Sequence, residues 1–320
     1  WDHLIVFITL NDDLVGGFQI LIRSKSYLGK IGLLLKGPVV ESDDSETINF
    51  VISTLKKTAR ENKIKALIVQ PPDRDEEMPH ILRQSDFSAN HLDYVIKDNT
   101  VVIDLQNDEE EIFNAMKHNK RKNIKTAMRM GIRVREGNIK NIDTFFSFMV
   151  ETCNRQNVKP SPSNVDFLYR LWDLFSRHNN IRLFLAEYEK ETVSCLVVLP
   201  FGKTAYLWKF GWSGKLGNYR PNEILYFEIF KWAKANGFEY VDMGAISSEL
   251  AEKIINGKKA NQDLLNSYSN FKAGFGGEVA HLTKGFVYIY NPIVRWAYNF
   301  LMPYINSAPF LKRKILFGGE

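Results

Sequence analysis

Lys272 has the clearest chemical setting in the chain. It follows Phe271 and precedes the glycine-rich run Gly274-Phe275-Gly276-Gly277-Glu278. A lysine fixed beside a turn with open backbone N–H groups favours an anion, either a phosphate or the oxyanion of a tetrahedral intermediate. The plain alternative is a surface lysine ahead of a hairpin. Tyr219 and Arg220 stand in the loop that opens a helix, and an arginine there can grip a diphosphate bidentately, which a lysine cannot. Asp242 ends the strand-like Tyr240-Val241-Asp242-Met243, where a carboxylate either meets a substrate or holds backbone. Lys36, in Leu35-Lys36-Gly37-Pro38, ends another such strand. The cations Lys117, Lys120, Arg121, Lys122, Lys125 and Arg129 form one block, with Asp108 to Glu111 just ahead of it. That order suits a solvated helix with acid first and base last, or an anion-binding surface. The sequence leaves each of these pairs of readings open.

Other chemistries are excluded more firmly. The six histidines (His3, His80, His91, His118, His178, His281) form no evident pairing with an Asp or Ser, so a nucleophilic triad is not expected. Cys153 and Cys195 make no Cys-x-x-Cys or Cys/His cluster. No disulfide framework or structural zinc site is therefore expected, and the usage fits a reducing compartment; no other metal site and no cofactor is expected either. Cys195 sits in an apolar run and reads as a small core residue. The 320 residues are 45% hydrophobic and 25% charged, which excludes disorder and suggests two domains or one large one. A net charge of +5 is too mild to identify a nucleic-acid binder by itself. No charged-then-apolar leader opens the chain, and a cytoplasmic location is expected.

The elements that must position these residues come as a repeat. Apolar periodicity predicts strands over 4–10, 14–23 and 30–36, a helix over 45–61 capped by Ser45, and a strand over 64–70 stopped by Pro71-Pro72. The same order returns with strands over 181–188, 191–199 and 204–211, a helix over 222–236 opened by Pro221 and closed by Gly237, and a strand over 238–243. The matching turns, Asn11 and Glu189, lie 178 residues apart, and the matching last strands, from Ile64 and Phe238, 174. Helical spacing covers 108–130, 142–156 and 164–178, with a short strand at Gly131-Ile132-Arg133-Val134 and a break at Lys159-Pro160-Ser161-Pro162. The expectation is two copies of one α/β unit: an α/β (α+β) chain of mixed sheets flanked by helices, divided into 1–137 and 138–285. Trp208, Phe210 and Trp212 alternate along one strand, either as core or as the wall of a groove.

A hairpin, a third strand, a helix and a parallel strand resemble the core of the GNAT-type N-acyltransferase fold. In that fold the fourth and fifth strands splay to admit an acyl donor. Members that use acyl-CoA hold its pyrophosphate on glycine-rich backbone at the central helix. Neither copy here offers that loop. The first has the acidic 37–44 segment, ending Glu41-Ser42-Asp43-Asp44, and the second Gly217-Asn218-Tyr219-Arg220-Pro221-Asn222-Glu223.

Tandem GNAT-like units without this cradle resemble the FemABX family, aminoacyl-tRNA-dependent transferases that extend the stem peptide of peptidoglycan precursors. The resemblance rests on the basic helix 120–125 with the strand at 131–134, on 217–222 with Trp232-Ala233 and Tyr240-Val241-Asp242-Met243-Gly244, and above all on Phe271-Lys272-Ala273-Gly274-Phe275-Gly276-Gly277-Glu278. That last run is similar to the family's Phe-Lys-x-x-Phe-Gly-Gly-Glu signature. It covers residues 1–285 and is of the compact kind, without the helical arm some members insert.

The resemblance implies an aminoacyltransferase of cell-wall biogenesis in which Phe271 and Lys272 mark where donor and acceptor meet. It implies that Lys36 and Lys159 hold the precursor, alongside Tyr219, Arg220 and Asp242. It also implies that Lys117, Lys120, Arg121, Lys122, Lys125 and Arg129 touch tRNA. The expected partners are aminoacyl-tRNA and a nucleotide- or lipid-linked precursor at the cytoplasmic face of the membrane. An acyl-CoA-dependent N-acyltransferase acting on an envelope sugar or lipid is one alternative, and a non-catalytic membrane- or RNA-associated module another. The apolar 286–302 stretch, followed by Lys312-Arg313-Lys314, is too broken to span a bilayer. It is expected to pack on the first domain, with a membrane interface as the alternative.

Overall fold

The computed structural model describes residues 2–25, 29–41, 44–73, 75, 77–91, 98–259, 261–265 and 267–307. Ser42, Asp43 and Lys312-Arg313-Lys314 lie outside the described residues. The chain opens with an antiparallel meander of β1 (Asp2–Leu10), β2 (Asp13–Lys25) and β3 (Gly29–Leu35). A two-residue strand, β4 (Val39–Val40), pairs with β2. Helix α1 (Ser45–Glu61) buries Ile48, Val51, Ile52, Leu55 and Ala59 at three- and four-residue spacing. Its cap is Asp44, which accepts from Thr47 N at 2.9 Å. The expected cap, Ser45, is instead the first helical residue, because Asp44 keeps the extended backbone that a cap requires. β5 (Ile64–Gln70) then runs parallel to β3, followed by α2 (Glu77–Gln84) and β6 (Ser88–Ala89).

A second sheet begins at β7 (Asn99–Asp104). The single helix expected over 108–130 is two, α3 (Glu109–Ala115) and α4 (His118–Arg129). Met116 and Lys117 turn extended between them. Lys117 N donates to Gly274 O at 2.9 Å, and the Arg121 guanidinium donates to Asn114 O and Met116 O, the open carbonyls at the end of α3. β8 (Arg133–Glu136), two residues later than expected, precedes α5 (Ile142–Arg155) and α6 (Val165–Ser176). The repeat follows as β9 (Arg182–Tyr188), β10 (Glu191–Phe201), β11 (Thr204–Trp212), α7 (Pro221–Ala235) and β12 (Tyr240–Ala245). α8 (Ser248–Ile255), α9 (Gln262–Leu265), α10 (Tyr268–Ala273) and β13 (Glu278–His281) lead to β14 (Phe286–Ile289) and α11 (Pro292–Ser307).

The strands form two mixed sheets, ordered β1-β2-β3-β5-β14-β6 and β13-β7-β12-β11-β10-β9-β8. Each contains the same hairpin, third strand, central helix and parallel strand, so the fold is a tandem GNAT-like one. The chain divides into a unit of residues 1–98 with 281–320 and a unit of residues 99–280. The division thus falls at Asp98/Asn99 and Ala280/His281, where the sequence suggested Gly137 and residue 285. β7 and β8 are the reason: β7 pairs with β12 and β8 with β9, so both belong to the second sheet. β14 returns to the first sheet between β5 and β6.

In the first unit, α1 and α2 cover one sheet face through Ile52, Leu55, Ile81 and Leu82. On the other face Leu33, Ile68, Val287 and Ile289 cluster with Tyr298 of α11. In the second unit α7 packs on one face through Leu225, Ile229 and Phe230. On the other, α5 and α6 pack Phe145, Met149 and Leu168 on Leu183, Cys195 and Val197. Cys195 is fully buried there, and burial pushes its thiol far up.

Candidate functional site

The two units differ at their parallel strands. β3 and β5 stay paired from Lys30↔Ile64 to Leu35↔Gln70. β11 and β12 pair only over Thr204↔Tyr240, Ala205↔Val241 and Tyr206↔Asp242. Beyond Tyr206, β11 continues to Trp212 without that neighbour, so the second unit carries the gap that the resemblance led one to expect.

Lys272 reaches into this gap from α10. Ser267 caps α10 by accepting from Asn270 N. Lys272 lies in the helix's last turn and is 8% exposed. Its Nζ donates to Ala245 O at 3.1 Å, at the end of β12. A Cβ on Gly244 would stand 3.2 Å from Nζ and 3.6 Å from Leu207 O of β11, so glycine there leaves room for the ammonium group between the strands. Burial lowers the Lys272 pKa to about 8, against the pull of Asp242 and helped by the repulsion of Lys209.

The expected reason for this placement needs correcting. Lys272 is buried rather than a surface lysine, and the partner of its ammonium group is a backbone carbonyl. The glycines after it serve close packing. Gly276 has φ +83°, and a Cβ there would overlap Ala115 O.

Lys272 lines a cavity of about 260 Å³ with Lys159, Ser161, Trp208, Lys209, Phe210, Tyr226 and Tyr268. Met149, Thr152, Cys153, Gln156 and Val158, from α5 and the segment after it, also line this cavity. Lys159 and Lys272, 113 positions apart in the chain, are thus brought to one cavity. Lys209 joins them unannounced. It lies between Trp208 and Phe210, which do form a wall here as well as packing on the core clusters. Burial lowers the Lys209 pKa. Trp212 faces elsewhere, with its ring 5.0 Å from the Arg155 guanidinium and its Nε1 donating to Lys215 O.

The Tyr226 and Tyr268 hydroxyls pair at 2.5 Å. Tyr268 keeps 39% of its surface open, but its hydroxyl is turned inward. Enclosure raises both phenols, Tyr268 to about 12. Both are neutral donors at physiological pH. The Tyr268 ring also lies 4.8 Å from the Lys272 ammonium. Neither tyrosine stood out in the sequence, where Tyr226 is one apolar position of α7 among many. Asp242 is a backbone holder: its Oδ1 accepts from Gly244 N at 2.7 Å and from the Thr100 hydroxyl.

The cationic block divides into two parts. Lys120 is 6% exposed. Its Nζ lies 3.5 Å from Glu223 Oε1 in the first turn of α7 and 3.4 Å from the centre of the Phe271 ring. Burial lowers its pKa to about 8, against the attraction of Glu223. Asn123 also donates to Glu223, at 2.8 Å. Lys120 therefore ties α4 to α7 and α10, which leaves it no role on a phosphate surface. Lys122, Lys125 and Arg129 are exposed and share a surface groove with Arg121, while Lys117 is exposed and donates to Asn270 at 3.4 Å. Phe271 lines the cavity on the Lys120 side with Ser267 and Gly274, so adjacent residues Phe271 and Lys272 line different cavities.

The start of α7 is unlike a diphosphate cradle. Leu216 and Arg220 both adopt left-handed backbone, at φ +53° and +61°. Tyr219 N and Arg220 N donate to Leu216 O and Gly217 O, Pro221 has no N–H, and Glu223 puts a carboxylate in the first turn. Tyr219 packs edge-on against Tyr188 at 5.1 Å, and Arg220 is exposed. Neither lines the Lys272 cavity. Lys36 belongs to the first unit, where its Nζ meets Asp73 at 2.5 Å.

Residues 115–251 match the model of the acetyltransferase (GNAT) domain. No curated protein matches the chain. Among solved structures, FemX superposes with a TM-score of 0.76 at 14% identity, covering 94% of this chain and 90% of that one. This chain has the FemX fold. L-PGS from Bacillus licheniformis shares it more loosely, with a TM-score of 0.58 at 13% identity over 96% of this chain and 90% of that one. So does a tandem GNAT protein from the clavulanic acid biosynthesis pathway, at 0.55 and 8% identity over 91% and 84%. The FemX-like fold thus takes in both sheets, whereas the GNAT domain match lies within residues 115–251 and so takes in the gap and α7.

Proposed function

We propose that this chain is an aminoacyltransferase that moves an amino acid from aminoacyl-tRNA to an amine on the stem peptide of a peptidoglycan precursor. The observation that carries this reading is the buried Lys272 ammonium in the gap between β11 and β12, beside a central helix whose start disfavours the diphosphate of a coenzyme. The ester of a charged tRNA is already activated, so the site has to position it and stabilise charge. The acceptor nitrogen attacks the ester carbonyl carbon, and the new C–N bond leaves a tetrahedral oxyanion opposite the Lys272 ammonium. Collapse breaks the C–O bond to the tRNA ribose, and the proton shed by the nitrogen passes to the departing oxygen.

Lys159 and Lys209 place further positive charge around the same cavity, which suits an acceptor carrying phosphate. Tyr219, Arg220 and Lys36 are assigned to precursor contacts outside it. The tRNA phosphates are assigned to the exposed Lys117, Lys122, Lys125 and Arg129, with the half-buried Arg121 beside them in the same groove as Lys122, Lys125 and Arg129. The work would be done at the cytoplasmic face of the membrane, where such precursors are made.

The test is incubation with a pool of charged tRNAs and a stem-peptide precursor, read by mass spectrometry. The expected product is the precursor extended by one residue, with Lys272→Met lacking it and tRNA affinity falling steeply with salt. Full transfer by Lys272→Met sinks the site assignment. The GNAT domain match favours a second reading, an acyl-CoA-dependent N-acyltransferase acting on an envelope sugar or lipid. Tight coenzyme A binding by calorimetry would select it.

A further inference from the structure

One face of α11 packs on its own sheet. Met302 is buried, Tyr298 joins the Leu33 and Ile68 cluster while its hydroxyl oxygen accepts from His91 N at 2.9 Å, and the Arg295 guanidinium lies over the Tyr288 ring at 4.9 Å. The opposite face is open and apolar. Trp296 and Tyr304 expose 67% and 66% of their surface, and Ile293, Val294, Phe300 and Leu301 are also exposed. Trp296, Phe300 and Tyr304 follow at four-residue steps, with ring centres 5.6 Å and 5.8 Å apart, so they make one aromatic ridge. Asn299 and Pro303 complete this face, and no charged side chain belongs to it. A contiguous patch of this kind marks a binding surface.

The charge of the surrounding sequence selects the occupant. Between Glu278 and Glu320 the sequence has Lys284, Arg295, Lys312, Arg313 and Lys314 and no acidic side chain. An apolar ridge bearing Trp and Tyr, in a segment whose charges are all positive, matches the interface of an anionic bilayer. No helix among the described residues is long and apolar enough to cross a membrane, so the contact lies in the plane of the surface.

We infer that the open face of α11, through Trp296, Phe300 and Tyr304, docks the protein on an anionic lipid surface. This goes beyond the proposed transfer reaction, and its test reads no activity. The full chain is floated with vesicles of phosphatidylcholine alone and of phosphatidylcholine mixed with phosphatidylglycerol. The wild-type protein is expected to rise with the mixed vesicles and to be released by high salt. Trp296→Glu with Phe300→Glu is expected to weaken partitioning by about tenfold or more while leaving the melting temperature near that of the wild type, because both side chains are exposed. Lys312→Glu with Arg313→Glu and Lys314→Glu is expected to weaken it on mixed vesicles. The inference is overturned if the wild type stays unbound with both compositions, or if it binds both equally. It is also overturned if the aromatic double variant binds like the wild type, or if sedimentation shows this face joining two copies of the chain in a dimer that the double variant abolishes.

Discussion

Lys272 carries the candidate chemistry, and its protonation decides how. Its pKa of about 8 leaves roughly nine-tenths of it charged at pH 7, the form that stabilises an oxyanion. In the transfer assay, kcat is therefore expected to fall as pH rises through about 8. Lys272→Met is expected to lose about a hundredfold or more, and its residual activity is expected to lack that falling limb. A limb that rises through pH 8 in the wild type and vanishes in the variant would instead make Lys272 a proton acceptor. The residue itself was legible in the sequence, since its run of Phe, Lys and glycines stands out. Its surroundings were not. Ala245, Lys209 and Tyr226 come from three separate elements, and nothing local in the sequence announces that β11 and β12 part after Tyr206. Arg220 shows the converse: its loop was found, but its left-handed backbone and exposure set it apart from the cavity.

Among the elements, α4 shows where reading a charge pattern fails. Six cations in one block looked uniform, yet a helix buries one stripe of its surface, and Lys120 falls on the stripe with Ile124 and Ala127. There it meets Glu223 and Phe271. Lys120→Met is expected to destabilise the protein by about 3 kcal/mol, because it strands the Glu223 carboxylate in a buried place. Adding Glu223→Gln is expected to restore most of the loss, as urea denaturation would show. The pH dependence gives a second check. The folded-state pKa of Lys120 is about 8, below the ordinary lysine value of 10.5. Between those values the unfolded chain binds more protons, so wild-type stability is expected to rise with pH across that window, and the double variant to show less of the rise. Helices with clear ends, α1 and α7, were legible to within a residue. The break between α3 and α4 was not, because its cause is the docking of Gly274 and Gly276, some 150 residues further on.

For the molecule as a whole, the repeat in the sequence corresponds to two sheets built alike but used differently. The first keeps its parallel strands zipped from Lys30 to Leu35, while the second opens after three pairs. Only the opened one can admit a lysine side chain between its strands. The chain also fills the two sheets in an order that hydrophobic spacing does not reveal. Residues 99–280 are one continuous stretch that supplies the second unit, whereas the first is built from both ends of the chain, with β14 lying between β5 and β6. This arrangement sets an asymmetric expectation. A fragment of residues 99–280 is expected to fold and to unfold in one cooperative step, since its sheet and its core clusters lie within the fragment. A fragment of residues 1–98 lacks the strand that pairs along Ala66 to Val69 and the Phe286 and Tyr288 side chains of its core. It is expected to show no cooperative transition alone and to gain one when residues 281–320 are joined to it through a flexible linker. Circular dichroism melts of the three proteins would decide the matter. A cooperative melt from residues 1–98 alone would mean that β14 is an addition to the first sheet rather than part of what holds it together.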